Sequence, residues 1–217
     1  MPLTTDELLT TTRSVRRRLD FERPVEREVV EECLHIAFQA PNGSNLQMYN
    51  WVVVDDPGVR KDMAEIYRGG LEDQLAASAA STEPSPYPDT PGQQRIGASV
   101  YYLIEHLQDV PVLVIPTVAG RMDQLETTFD QASRWGSVLP AVWNFMLALR
   151  SRGLGSAWTT LHLHREKDMA ELLDIPYDMV TQAGLFPVAY TIGTEFNPAD
   201  RSKSEESIHW NRWGSRA

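Results

Sequence analysis

The sequence predicts an α+β fold, and three observations carry the prediction. Helical and strand-like stretches follow one another in a mixed order rather than in a clean β-α-β alternation. The chain has 217 residues, within range of one domain, and shows neither an internal repeat nor a dividing linker. Hydrophobic residues make up 42% and charged residues 23%, the balance of a chain with a packed core rather than a disordered one.

Each element has its own signal. Thr4 and Glu7 stand at capping-box spacing and announce a helix expected to reach about Val15. A second helix is expected from near Pro24, with Val29, Val30, Cys33, Leu34, Ala37 and Phe38 on its apolar face. Pro41-Asn42-Gly43-Ser44-Asn45 is a cluster of helix breakers and stops it. Trp51–Val54 reads as a buried strand. Residues 57–110 hold two helix-like stretches around an Ala-, Ser- and Pro-rich loop from Ala76 to Gly92, containing Pro84, Pro86, Pro88 and Pro91. A loop of that length is an active-site lid or a mobile insertion. Val110–Pro116 is apolar throughout and reads as a central strand, and a strongly apolar helix follows over Trp135–Ser151. Ala157–Thr160 reads as a third strand, 166–173 as a short helix and Leu185–Ile192 as a fourth strand, before a polar and aromatic tail from Glu195 to Ala217.

Composition excludes several classes. Thirty acidic against twenty basic residues give a formal net charge of −10, poorly suited to a broad nucleic-acid footprint. The single cysteine, Cys33, leaves no intrachain disulfide framework and no Cys-rich zinc site, and its apolar neighbours mark a buried structural thiol. No run approaches the length of a membrane helix, and the first residues lack the apolar core of a signal peptide. The expectation is a soluble, cytoplasmic protein.

Common catalytic motifs are missing. The sequence contains neither a Gly-x-Ser-x-Gly elbow nor a P-loop. Gly153-Leu154-Gly155 begins like a dinucleotide fingerprint, but Trp158 stands where the third glycine belongs, and a helix C-terminus is the better reading. His162 and His164 alternate on an expected strand end with no third ligand identifiable, so no metal site is expected.

Two features remain. Arg13, Arg16, Arg17 and Arg18 surround Ser14 and crowd four cations into six residues. On a helix Arg13, Arg16 and Arg17 would share a face, where like charges repel unless an anion compensates. Guanidinium forks match phosphate oxygens, although a solvated basic face is the alternative. Asn42–Gln47 is a polar loop that suits a heteroaromatic edge as well as a simple turn.

In order along the chain, Arg13-Ser14-Val15-Arg16-Arg17, Ala40–Gln47, Trp51–Val54, Pro140–Ser156, Pro187-Val188-Ala189-Tyr190 and Pro198-Ala199-Asp200-Arg201 resemble the FMN-dependent nitroreductase family. The resemblance covers nearly the whole chain apart from 69–99. It implies a three-layer sandwich: a mixed, mostly antiparallel sheet flanked by helices, in an intertwined homodimer. It implies one domain over 1–217, a variable lid or insertion around 69–99 and a partner-embracing tail over 195–217. Two FMN molecules would lie at the subunit interface, with NADPH or NADH as transient hydride donor and a small electrophile as acceptor.

The family's motifs place Arg13, Ser14 and Arg16 at the phosphate, ribityl chain and pyrimidine edge, with Arg17 adjacent. They bring Pro41, Asn42, Gly43, Ser44, Asn45 and Gln47 to the ring from the partner chain. Thr160 and Leu161 would give backbone contacts, and Arg201 would complete the phosphate site. Asn42 stands where many members carry serine or threonine, and Asp200 is an acidic neighbour for Arg201. With hydride chemistry supplied by the cofactor, no catalytic side chain is expected, and donor and acceptor would alternate on one flavin face in ping-pong order. The same resemblance admits a flavin-sequestering dimer, or a relative that cleaves flavin or dehalogenates.

Overall fold

In the computed structural model, residues 3–83, 88–201 and 205–215 are described. Their helices are α1 (Thr5–Thr11), α2 (Arg27–Ala37), α3 (Pro57–Ala80), α4 (Pro91–His106), α5 (Thr128–Ser151) and α6 (Glu166–Leu172). Their strands are β1 (Tyr49–Val54), β2 (Val112–Ala119), β3 (Leu154–Ser156), β4 (Val180–Gln182) and β5 (Phe186–Tyr190). The strands form one antiparallel sheet in the order β1-β2-β5-β3, with β4 also paired to β2.

The apolar run of β2 is explained by burial on both faces. Val112, Val114 and Val118 point to a core shared with α2 and α5, where Val30, Cys33, Val142, Phe145 and Leu149 pack. Leu113 and Ile115 point the other way, to a core shared with α3, α4 and α6 through Met63, Tyr67, Leu103 and Met169. The period of two along one strand thus divides the molecule into helix, sheet and helix layers. At the sheet's edge, β1 is only partly covered, and Val53 is exposed. Its apolar sequence predicts burial; lacking a strand on its outer side, it is half open instead.

The capping box of α1 is formed, with Thr4 Oγ1 accepting from Glu7 N and Thr4 N donating to Glu7 Oε2. The helix nevertheless stops at Thr11 rather than near Val15. Thr10, Thr11 and Thr12 donate their hydroxyls to the carbonyls four residues back. Ser14 is drawn into a bridge with Ser156, and Val15 N donates to Ser156 O (2.8 Å). Arg13 and Ser14 therefore lie on extended backbone and residues 16–18 in a turn closed by Leu19 N donating to Arg16 O (3.3 Å), so the shared helical face expected for Arg13, Arg16 and Arg17 does not exist. Helix α2 begins at Arg27, three residues after Pro24, and α5 starts earlier than its apolar pattern, where Thr127 caps Asp130 N.

The third strand lies at Leu154–Ser156 rather than Ala157–Thr160. Gly153, with φ +78°, ends α5 as expected. Gly155 then lets β3 pass so close to the arginine segment that a Cβ there would come within 2.9 Å of Val15 Cβ. Of the residues expected as a strand, Thr159 keeps a single bridge to Leu185. His162 and His164 lie in a 3-10 turn over Leu161–Arg165, not on a strand end. Helix α3 runs through Ala80 and α4 starts at Pro91, so the expected Ala76–Gly92 loop is shortened to 81–90. Pro84 and Pro86 fall outside the described residues. No helix among the described residues is long and apolar enough to cross a membrane.

Candidate functional site

The bridge at Ser14 and the turn over residues 16–18 send the arginine side chains two ways. Arg13 donates to Thr10 O (2.6 Å) and Asn197 O (2.8 Å). Arg18 donates to Ile192 O and Glu195 O, both at 2.9 Å, and lies over the Phe196 ring, with Arg150 on the same ring. These two cations fasten the tail. Arg16 and Arg17 turn instead to α4, where their bonds are long: 3.5 Å to Ser99 Oγ and 3.3 Å to Ala98 O. Arg16 Nε is buried without a hydrogen-bond partner. Burial lowers the Arg16 pKa from its ordinary value, and the nearby Tyr67 phenol opposes that shift. A buried donor of this kind is costly unless an acceptor arrives.

Arg16 forms one wall of a cavity of about 530 Å³ between α3, α4 and the segment Trp158–Leu161. Thr160 and Leu161 line it, as does Tyr67 on α3, a residue that sequence reasoning passed over inside a helix. Burial raises the Tyr67 pKa, against its hydrogen bond with Thr159 and the charge of Arg16. A second cavity of about 200 Å³ adjoins through Arg16 and is lined by Ser14, Arg17, Arg18 and Ser99. Arg16 thus stands between two neighbouring cavities, one lined by Thr160 and Leu161 and the other by Ser14 and Arg17.

The wall from α3 is held rigidly. A Cβ on Gly70 would lie 2.1 Å from Leu161 O. Next to it, Arg165 covers Gly69 and binds Asp73 with Nε and Nη2 at 2.7 and 3.1 Å. Below the wall His162 is fully buried, neither ring nitrogen has a hydrogen-bond partner, and burial pushes its pKa down to about 3.

Pro41, Asn42, Gly43, Ser44, Asn45 and Gln47 lie elsewhere. Gly43–Asn45 makes one 3-10 turn, with positive φ at Ser44, Asn45 and Gln47. Gly43 N donates to Ser137 Oγ (3.0 Å), and Gln47 N to Asn42 Oδ1 (2.9 Å). Ser137 is in the third turn of α5, whereas the arginine segment pairs with β3 beyond that helix's other end. Fourteen residues of helix from Ser137 to Ser151 span about 21 Å at roughly 1.5 Å per residue. Within one chain the two halves of the expected site do not meet. Arg201 is exposed and donates only to Asp200 O, at 3.5 Å, among the described residues. No described contact joins it to the arginine segment.

The comparisons with known proteins agree with this architecture. The model of the Nitroreductase family matches residues 9–190. A protein of Archaeoglobus fulgidus, provisionally named NADH dehydrogenase/NAD(P)H nitroreductase, is 25% identical over 211 residues, covering 95% of this chain and 97% of its own. Among solved structures, a BluB-like flavoprotein from Clostridium difficile 630 superposes with a TM-score of 0.70 at 16% identity, over 97% of this chain and 100% of that one. A point mutant of the FMN and NADPH-dependent nitroreductase NfnB from a Sphigopyxis strain gives a TM-score of 0.66 at 17% identity, over 96% and 99%. With the family model matched across most of its length and the sheet and flanking helices of that fold in place, this chain belongs to the Nitroreductase family.

Proposed function

We propose that the protein is an FMN-dependent oxidoreductase that takes hydride from NADPH or NADH and delivers it to nitroaromatic, quinone or similar electrophilic acceptors in ping-pong order. The observation that carries this reading is Arg16, a half-buried cation with an unpartnered Nε on the wall of the cavity. The donor set fits the cofactor: Ser14, Arg16 and Arg17 offer a hydroxyl and two guanidinium groups to a phosphate and a pyrimidine edge. Arg13 stands behind them on the tail, and Arg201 would have to swing in from solvent. When bound, FMN supplies an N5 that accepts and returns hydride, and its reduced form gathers negative charge near N1. A fixed guanidinium beside that charge stabilises it most where water is excluded, which is the role assigned to Arg16. Thr160 and Leu161 line the same wall and would orient the ring.

The separation of the 41–47 loop from the arginine segment supports a homodimer in which each flavin is held by one chain's arginines and the other's loop. Trp143 on α5 is 41% exposed and Trp213 in the tail 92% exposed, faces that a twin subunit would cover. The anaerobic visible spectrum, recorded before and after NADPH or NADH, tests the proposal. A flavin band that bleaches is the expected result. A flavin band that persists with both donors would favour a sequestering dimer. No flavin after incubation with FMN would overturn the reading. Product analysis with oxygen present separates acceptor reduction from flavin cleavage, and halide release would reveal dehalogenation.

A further inference from the structure

The larger cavity has a composition that constrains its occupant. Arg16 is its only charged side chain among the described residues, and it sits at one end. The body of the cavity is apolar, walled by Leu71 and Leu75 of α3, Ile96 and Val100 of α4, and Trp158. Trp158 is a fixed wall: its Nε1 donates to Ala183 O (3.1 Å), its ring packs on Phe186, and a Cβ on Gly184 would come within 2.6 Å of Nε1. The indole therefore has no spare donor and presents only ring surface.

Set into these walls are two carboxamides, Gln74 from α3 and Gln93 from α4. Both are half-buried, and neither side chain has a described hydrogen-bond partner. Their neighbours differ. Gln94, beside Gln93, binds Asp89 (2.8 Å), and Asp73, beside Gln74, is held by Arg165. Acidic groups near the cavity are thus drawn outward, while two neutral donors point to no protein acceptor.

We propose that this cavity selects flat, uncharged acceptors and that Gln74 and Gln93 are the specificity-determining residues, donating to the acceptor's carbonyl or nitro oxygens. The inference rests on the flavin-oxidoreductase reading and narrows its acceptor class. A ring with apolar faces fills the space between Trp158 and the α4 side chains. Leu75 and Ile96 are exposed at the mouth, so the penalty falls on an anionic or cationic substituent directed inward, past Leu71 and Val100, where no counter-charge is available once Arg16 faces the flavin. Neutral amides cost little to desolvate when an acceptor oxygen meets them, and leave an oxygen-free ring unrewarded.

The experiment compares 2-methyl-1,4-naphthoquinone with 1,4-naphthoquinone-2-sulfonate on the FMN-loaded protein. Equilibrium dialysis against the oxidised protein gives the ratio of the two dissociation constants without turnover, and kcat/KM gives the same ratio in turnover. The wild type is expected to prefer the uncharged quinone by about tenfold or more, the loss that follows from one unpaired buried group. In Gln74→Met and Gln93→Met, which keep volume and remove the donors, uncharged quinone should bind about tenfold more weakly. In Ile96→Lys, the preference should turn toward the sulfonate. Ratios cancel a general loss of folded or flavin-loaded protein for the wild type and Ile96→Lys, and the methionine variants are compared per bound flavin, read from the visible spectrum. Equal binding of the two quinones by the wild type, tighter binding of the sulfonate, or methionine variants that bind like the wild type would overturn the proposal. Failure of NAD(P)H to bleach the flavin would instead strike the underlying oxidoreductase reading, since dialysis does not depend on it.

Discussion

His162 makes folding stability depend on pH in a range where the carboxylates are silent. The ring is fully buried beneath the cavity wall and its pKa falls to about 3 from an ordinary 6.5, because burial penalises the charged form more than the neighbouring Gln182 amide favours it. A depressed histidine is neutral in the folded protein while the unfolded chain binds a proton below about pH 6.5. Its contribution is therefore complete above that pH and is lost as pH falls toward 3. From pH 7 to pH 5 the unfolded state gains about 2 kcal/mol at roughly 1.4 kcal/mol per unit below the ordinary pKa. Carboxylates held low, such as Asp55 and Asp73 beside their arginines, begin to matter only nearer about pH 4. Urea unfolding of the wild type and of His162→Gln at about pH 7, 6 and 5 isolates the effect. The wild type should lose about 2 kcal/mol more than the variant across that interval, whatever their stabilities at neutral pH. Parallel pH dependences in the two proteins would refute the reasoning.

Gly70→Ala should destabilise the fold by about 1–3 kcal/mol, because its Cβ meets the backbone carbonyl of Leu161 at 2.1 Å. Gly69→Ala meets only the side-chain end of Arg165, which can move at the cost of its partly exposed pairing with Asp73, so thermal melts should show a smaller loss and separate the two. Arg16→Ala should weaken FMN binding by about 10–100-fold in a fluorescence titration, the loss of a charged hydrogen-bond donor, with Arg16→Lys intermediate. Cys33, buried and with its thiol pushed up to about 11, should resist iodoacetamide at mildly alkaline pH in the folded protein and react promptly in denaturant.

Legibility follows the range of the interactions concerned. The α1 capping box, the apolar run of β2 and the core face of α5 are local patterns, and the structure has them where the sequence places them. Strands of three residues carry too little periodicity to locate, so the sequence misplaces β3 and does not show β4. The backbone of the arginine segment is set by Ser156, far away along the chain. No local signal could show that it leaves the helix after Thr11. Family motifs single out Ser14, Arg16, Arg17, Thr160 and Leu161, which line two cavities that share Arg16. Tyr67, Gln74 and Gln93 read as ordinary helix residues, because a cavity between two helices leaves no spacing of its own in the sequence.

Along Thr12–Leu19 the bridge at Ser14 and the turn after it set a clasp, Arg13 and Arg18, on either side of the cationic pair Arg16 and Arg17. Arg13 and Arg18 each bridge two carbonyl groups that lie several residues apart, a geometry that a planar five-donor fork can span and a single ammonium cannot. Arg17 is exposed and makes one long bond, to Ala98 O (3.3 Å), so the fold itself asks less of its shape. Charge-conserving drift to lysine at 13 and 18 would leave the electrostatic potential of this surface intact while releasing the end of the chain. The same substitution at 17 would leave the tail fastened. Two positions in this run are constrained by the shape of the fold itself, and net charge alone cannot tell them from the third.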